Sequence, residues 1–311
     1  RQRLWGVPIP IFYGEDGEPI LDEKLFEHIE DLFMKYGSDI WYEKSAKELL
    51  PEGYTSIHSP NGEFTKEKDI ALNHPFPADI YFEGNDQYRG WYNSSMILSV
   101  AYTGKAPYKN ILTHGFIVDQ NGEKFSKSKK NGIDPVTICN NFGADILRLW
   151  TTSIDYTTAE IKLSQDLLKV CADQYRKIRN TFKFMLSNLQ DDDEGHYFDT
   201  SYQPESLSLM DQMMLNRLKA VLAMMKKGYD TYDIMDVTNA VTNFFINDLS
   251  SFYLDFSKDT LYCEKKDSVK RRNTQYVLFQ IVKNIAIAYS PILCFTCEEI
   301  YRSLHMENKK K

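Results

Sequence analysis

Two textures of apolar spacing meet near residue 160. Before that point the apolar runs are short and are broken by Gly, Pro and Asn. "WGVPIPIFY" predicts a strand between prolines, and "GEDGEP" predicts a turn after it. "ADIYFEG" predicts a buried strand that ends at Gly84. "DQYRGWYNSSMILSVAYTG" predicts a helix, with Asp86 near its start and Gly104 at its end. "NILTHGFIVD" predicts a further strand. Strand, helix and strand in that order predict a β-α-β unit with a parallel sheet. Ligands of such sheets sit beyond the carboxyl ends of the strands. Glu83, Asp86, His114 and the lysine-rich segment after Asp119 would all stand there.

After residue 160 the spacing becomes helical. Leu167, Val170, Cys171, Ile178, Phe182, Met185 and Leu189 recur at three- and four-residue steps. Leu215, Leu218, Val221, Leu222 and Met225 mark a second helix. Ile234, Val237, Val241, Phe245, Leu249 and Phe252 mark a third. "YVLFQIVKNIAIAYSPILCFTCEEIYRSL" predicts two more, broken at Pro291. The Met and aromatic stripes read as bundle core. The expected architecture is α/β over residues 1–160, followed by an all-α helical bundle over 161–311.

Composition adds bounds. The chain has 311 residues, 42% of them hydrophobic, which suits about two globular domains. No run of ~18 apolar residues predicts a membrane span. A net charge of −7 argues against non-specific adhesion to nucleic acid but leaves room for a local basic surface. Five cysteines, mostly scattered, predict a reducing compartment, here the cytoplasm. Cys294 and Cys297 form one C-x-x-C within an apolar helical run, a poor setting for zinc. The chain opens on Arg1 without an initiator Met, so a fragment is expected.

Two stretches carry candidate chemistry. "NGEKFSKSKK", residues 121–130, gathers four lysines after a turn-prone Asn-Gly. Nucleotidyl transfer needs positive charge where negative charge grows, and a mobile loop can deliver it. Lys124 and Lys127 would face a triphosphate, with Ser126 and Ser128 shaping the loop; an ordinary solvated loop is the plainer alternative. In "EGNDQYRGW", Glu83 and Asp86 suit ribose hydroxyls or an amino group, and Gly84 admits a ligand close to the backbone. The alternative is a helix start capped by Asp86. Trp91 is either pocket wall or core.

Together, and in this order, the two stretches resemble class I aminoacyl-tRNA synthetases. "KFSKS" resembles their Lys-Met-Ser-Lys-Ser signature, with Phe125 in place of Met. "RQRLWGVPIPIFY", "EGNDQYRGWYNSS", "GKAPYKNILTHGF", "GADILRLW" and "YRKIRNTFKFML" are similar to segments of bacterial-type isoleucyl-tRNA synthetases. The resemblance covers nearly the whole chain. It implies the second half of a Rossmann-like catalytic domain and a helical anticodon-binding domain. The implied reaction has two steps. Isoleucine and ATP, with Mg2+, give isoleucyl-adenylate, and the acyl group then passes to tRNA.

The resemblance also implies roles. Glu83, Gly84, Asp86, Gln87, His114, Ser126, Lys127 and Ser128 would hold ATP or the adenylate. Lys124 and Lys127 would be catalytic. Trp5, Gln87 and Trp91 would line the isoleucine pocket. Arg176, Lys177, Arg179 and Lys183 are candidates for tRNA phosphates or for a solvated helix face. The partners implied are isoleucine, ATP and isoleucine tRNA, the protein acting as a monomer without a membrane. The family's His-Ile-Gly-His motif and editing domain would precede Arg1, and its zinc module would follow Lys311. Family sequence also breaks off between Ile70 and Ala71. The fragment alone is therefore expected to be inactive. A valyl or leucyl ligase, or a non-catalytic tRNA-binding fragment, are the alternatives.

Overall fold

A computed structural model describes residues 9–66, 76–125, 131–191 and 197–304. The chain divides into two compact units. Among the described residues, the first takes those up to Tyr81 together with Arg89–Ile111. The second takes Phe82–Tyr88 and everything from Leu112 onward.

In the first unit, strand β1 (Phe12–Tyr13) pairs antiparallel with β2 (Thr65–Lys66). The expected strand "WGVPIPIFY" is thus two residues long among the described positions. Helix α1 (Glu23–Tyr36) starts where Asp22 accepts the Lys24 amide, and Tyr54 donates its hydroxyl to the same carboxylate at 2.8 Å. Two short helices follow, α2 (Ile40–Glu43) and α3 (Ala46–Leu49). Ser45 and Glu48 form a reciprocal capping box at α3, and those hydrogen bonds hold the Glu48 carboxyl down at about 2. Phe12, Leu25, Ile29, Trp41 and Leu49 form the small core.

Strand β3 (Ala78–Gly84) is the hydrogen-bonded neighbour of β4 (Tyr108–His114). The helix expected between them starts later than Asp86. Residues Asn85–Arg89 form a turn of 3₁₀ helix, and helix α4 (Trp91–Thr103) begins after Gly90. It ends at Gly104 in the left-handed region, as the glycine predicts.

In the second unit, β5 (Phe116–Val118) pairs in parallel with β6 (Glu160–Lys162), Phe116 opposite Glu160. Helices α5 (Pro135–Phe142) and α6 (Ala144–Thr152) lie between them in sequence. The bundle comprises α7 (Gln165–Leu189), α8 (Leu209–Thr231), α9 (Ile234–Asn243), α10 (Leu254–Cys263), α11 (Val269–Tyr289) and α12 (Cys294–Ser303). One buried core runs from Ile138 to Leu304, so Ile146, Leu149 and Trp150 belong to the same core as the bundle.

The helical spacing and the structure differ in phase at two places. On α7 the buried stripe begins at Leu168, and Leu167 and Val170 face solvent. Between α9 and α10, residues Phe244–Tyr253 form a π-helix. Its wider turn slips the register, so Tyr253 is 1% exposed while the expected Phe252 is 43% exposed.

Pro291 breaks the chain between α11 and α12, and α6 fastens the break. Asp145 is 6% exposed, and its carboxylate accepts the Thr296 amide at 2.7 Å and the Thr296 hydroxyl at 2.6 Å. It thereby caps α12 from another helix. Arg148 donates to the carbonyls of Ile292 at 2.9 Å and Pro291 at 2.6 Å. The "GADILRLW" segment is therefore a clasp on the bundle. Cys297 and Cys171 are buried thiols that loss of solvation pushes up to about 12. No helix among the described residues is long and apolar enough to cross a membrane.

Candidate adenylate site

The second unit gathers five of the expected residues near one end of its strands. β3 ends with exposed Glu83 and buried Gly84. The 3₁₀ turn that follows carries Asp86, exposed, and Gln87, half-buried. Gly84 gives the Asp86 side chain room here. A Cβ on it would stand 2.7 Å from Asp86 Oδ1 and 3.7 Å from the Phe116 ring. Any larger residue would push the Asp86 carboxylate away from the strand end. Two carboxylates in solvent beside a bare backbone suit a polyhydroxyl or amino ligand.

His114 closes β4, its Nδ1 2.8 Å from the Gly115 carbonyl and its ring edge-on to Phe82 at 5.3 Å. Gly115 is the tightest point in the unit. A Cβ there would meet the Thr158 carbonyl oxygen at 1.8 Å, so only glycine lets the chain pass into β5. Phe82, His114, Phe116, Trp150, Tyr156 and Tyr232 line part of an apolar cavity of about 520 Å3. It lies beside the strand end rather than over the two carboxylates.

The lysine loop leaves β5 through a tight turn. Asp119 accepts the amides of Asn121 and Glu123, each at 2.9 Å. The chain then folds back, with Lys124 bridging Val118 and the Phe125 amide donating to Ile117 at 3.3 Å. Across the loop, Asn131 donates to Asp119 at 3.1 Å and to the Lys124 carbonyl at 3.3 Å. The loop is thus closed at its base. The Lys124 ammonium lies over the Phe116 ring, 3.6 Å from its centroid. Ser126, Lys127 and Ser128 lie outside the described residues, as does Trp5.

Trp91 belongs to the first unit. It is 51% exposed and stacks on Tyr81 at 6.0 Å, so it is not core there. On the bundle, Arg176, Lys177, Arg179 and Lys183 are all exposed along α7. Arg176 pairs with Asp173. Arg179 and Lys183 share the rim of a cleft of about 250 Å3 with Glu299.

Sequence reasoning missed Gly115, Phe116, Asp119 and Asn131. Only Asp119 had a local signal: an aspartate two residues before Asn-Gly predicts a turn in which its side chain takes the next amides. The others act through residues distant in sequence.

Paired carboxylates at a strand end, a lysine-rich segment after β5 and a helical bundle stand together in the second unit, the arrangement expected of the α/β class to which the sequence is similar. The family of class I tRNA synthetases (I, L, M and V) matches residues 1–164, and the anticodon-binding domain of tRNA ligases matches residues 211–311. This chain belongs to the class I tRNA synthetases. It is 47% identical to isoleucine–tRNA ligase 1 of Oceanobacillus iheyensis, over 97% of this chain and 34% of that protein. It is 48% identical to the isoleucine–tRNA ligase of Lacticaseibacillus casei, over the same shares. The chain therefore spans about a third of the length of the curated relatives it matches.

The match to the Geobacillus kaustophilus ligase runs over 328 positions, more than the chain has residues. Part of that relative has no counterpart here. The expected break between Ile70 and Ala71 lies outside the described residues. Among solved structures, methionyl-tRNA synthetase of Mycobacterium tuberculosis shares the fold with a TM-score of 0.58 at 17% identity, over 72% of this chain and 43% of that one. A LeuRS of Agrobacterium radiobacter in a ternary complex gives 0.57 at 16%, over 98% and 40%.

Proposed function

We propose that the chain is the part of an isoleucine–tRNA ligase that holds the adenylate and the anticodon stem. The observation that carries this reading is the identity of 47% and 48% to isoleucine–tRNA ligases along 97% of the chain. The geometry supports it. Glu83, Asp86 and Gln87 stand around the end of β3 at Gly84, and Lys124 belongs to the same compact unit.

In this reading the isoleucine carboxylate attacks the α-phosphorus of ATP, and pyrophosphate leaves. Asp86 and Glu83 accept hydrogen bonds from the ribose hydroxyls and the isoleucine ammonium. Lys124 and Lys127 neutralise the charge that grows on the departing pyrophosphate, with Ser126 and Ser128 shaping the loop. Mg2+ dehydrates reluctantly and would enter on the ATP phosphates. Gln87 lies beside the isoleucine. The acyl group then moves to isoleucine tRNA, whose phosphates meet Arg179 and Lys183 on α7. The ligase acts as a monomer in the cytoplasm.

The test is amino-acid-dependent ATP–pyrophosphate exchange by a full-length ligase carrying this segment. Isoleucine should support exchange well above valine, leucine and methionine. Preference for one of those three would replace the reading, and absence of exchange with all four would leave a tRNA-binding protein.

A further inference from the structure

We propose that Phe116 is a positioning residue for adenylate formation. Its ring is a shelf that sets where the Lys124 charge stands relative to a ligand at Gly84. The inference rests on the roles proposed above for Lys124 and Gly84.

Phe116 meets both parts of the site. The Lys124 ammonium sits over its face at 3.6 Å from the centroid. Its Cε1 and Cζ atoms are 3.7 Å from the place a Gly84 side chain would occupy. A ligand that uses the space above Gly84 therefore touches the same ring that holds the lysine.

The backbone that carries the ring is held firmly. The Phe116 amide donates to the Ala159 carbonyl at 3.0 Å, and the residue pairs with Glu160 in the parallel ladder. Gly115 before it is wedged against Thr158 and Ala159. The Lys124 backbone is held by the bridge to Val118 and by Asn131. What remains free is the four-carbon stem of Lys124, which is exposed. An unguided lysine would spread its charge over many rotamers. The negative face of an aromatic ring narrows that spread.

A second consequence concerns Phe116 itself. The ring touches the lysine and the ligand's space, so a leucine there would keep apolar bulk but lose the attraction. The distinction between packing and attraction is what an experiment can read.

The test is replacement of Phe116 by mono-, di- and trifluorophenylalanine in the full-length ligase. Fluorination withdraws the negative face and barely changes shape. The kcat for isoleucine-dependent exchange should fall stepwise, by about two- to fivefold in total, the size of an exposed cation–π contact. KM for isoleucine and the melting temperature should stay constant. In a Lys124→Met background the fluorination series should be flat. A flat series with Lys124 present, while Lys124→Met slows exchange, overturns the shelf and leaves the role of Lys124 standing. Full exchange by Lys124→Met overturns both. An independent readout uses this chain alone, with 13C-methylated lysines. The Lys124 signals should be shifted upfield by the ring and return to ordinary values in Phe116→Leu; signals already at ordinary values in the parent overturn the shelf.

Discussion

Replacement of Asp145 by alanine should damage the helical unit more than any exposed change on it. The carboxylate accepts the amide and the hydroxyl of Thr296 at 2.7 and 2.6 Å, and the Phe295 amide lies 3.4 Å away. Asp145 and Thr296 are both buried, so water cannot replace the lost acceptor. An N-cap is worth about 0.5–2 kcal/mol. Each buried donor left without an acceptor costs about 1–3 kcal/mol. These contributions overlap, so Asp145→Ala should cost about 3 kcal/mol. Asp145→Asn keeps one acceptor oxygen but turns an amide toward a donor, and should cost about half as much. The assay is urea unfolding of this chain, followed by far-ultraviolet circular dichroism. Thr296→Val completes a double-mutant cycle, whose coupling should exceed ~1 kcal/mol. A cost below ~0.5 kcal/mol for Asp145→Ala is what surface substitutions show, and it would refute the clasp.

Other perturbations test separate parts. Gly115→Ala should destabilise the second unit by about 3 kcal/mol in the same assay, because its Cβ must displace backbone at Thr158. A piece starting at residue 133 should unfold cooperatively, whereas one starting at 161 loses Ile138, Ile146, Leu149 and Trp150 from the core. Four buried apolar side chains are worth about 6 kcal/mol or more, so the shorter piece should lack a sharp urea transition. Stability should fall in alkali. The folded thiols of Cys171 and Cys297 are raised from near 9 to about 12, so the unfolded state loses those protons first. The loss should begin near pH 9 and continue to about pH 12, at up to ~1.4 kcal/mol per pH unit per thiol; Cys171→Ala should make the slope shallower. Trp91→Ala in a full-length ligase should weaken isoleucine binding and reduce discrimination against valine, where one methylene is worth only ~1–3 kcal/mol. Unchanged isoleucine and valine constants would remove Trp91 from the pocket.

Much of this was legible because the signals are local. Gly84 after an apolar run marks the end of β3, and apolar steps of three and four mark the bundle. The lysine string became specific only beside the acidic one, through the family resemblance. Other features depend on contacts that spacing does not encode. Nothing near Asp145 in sequence shows that it caps a helix 150 residues later. The π-helix between Phe244 and Tyr253 keeps apolar composition while changing its phase, so regular helical spacing points to Phe252 where the structure buries Tyr253. In sequence Phe116 is one more strand residue; the fold sets Gly84 and Lys124 against its ring.

The central claim is that one site binds isoleucyl-adenylate through the strand end at Gly84. Its most direct test is calorimetric titration of a full-length ligase carrying this segment with non-hydrolysable aminoacyl-adenylate analogues. The isoleucyl analogue should bind more tightly than the valyl, leucyl and methionyl analogues, and Asp86→Ala should weaken it about tenfold or more, the scale of a lost hydrogen bond to a charged group. Equal binding of all four analogues, or an Asp86→Ala protein that binds the isoleucyl analogue as tightly as its parent, would contradict the account.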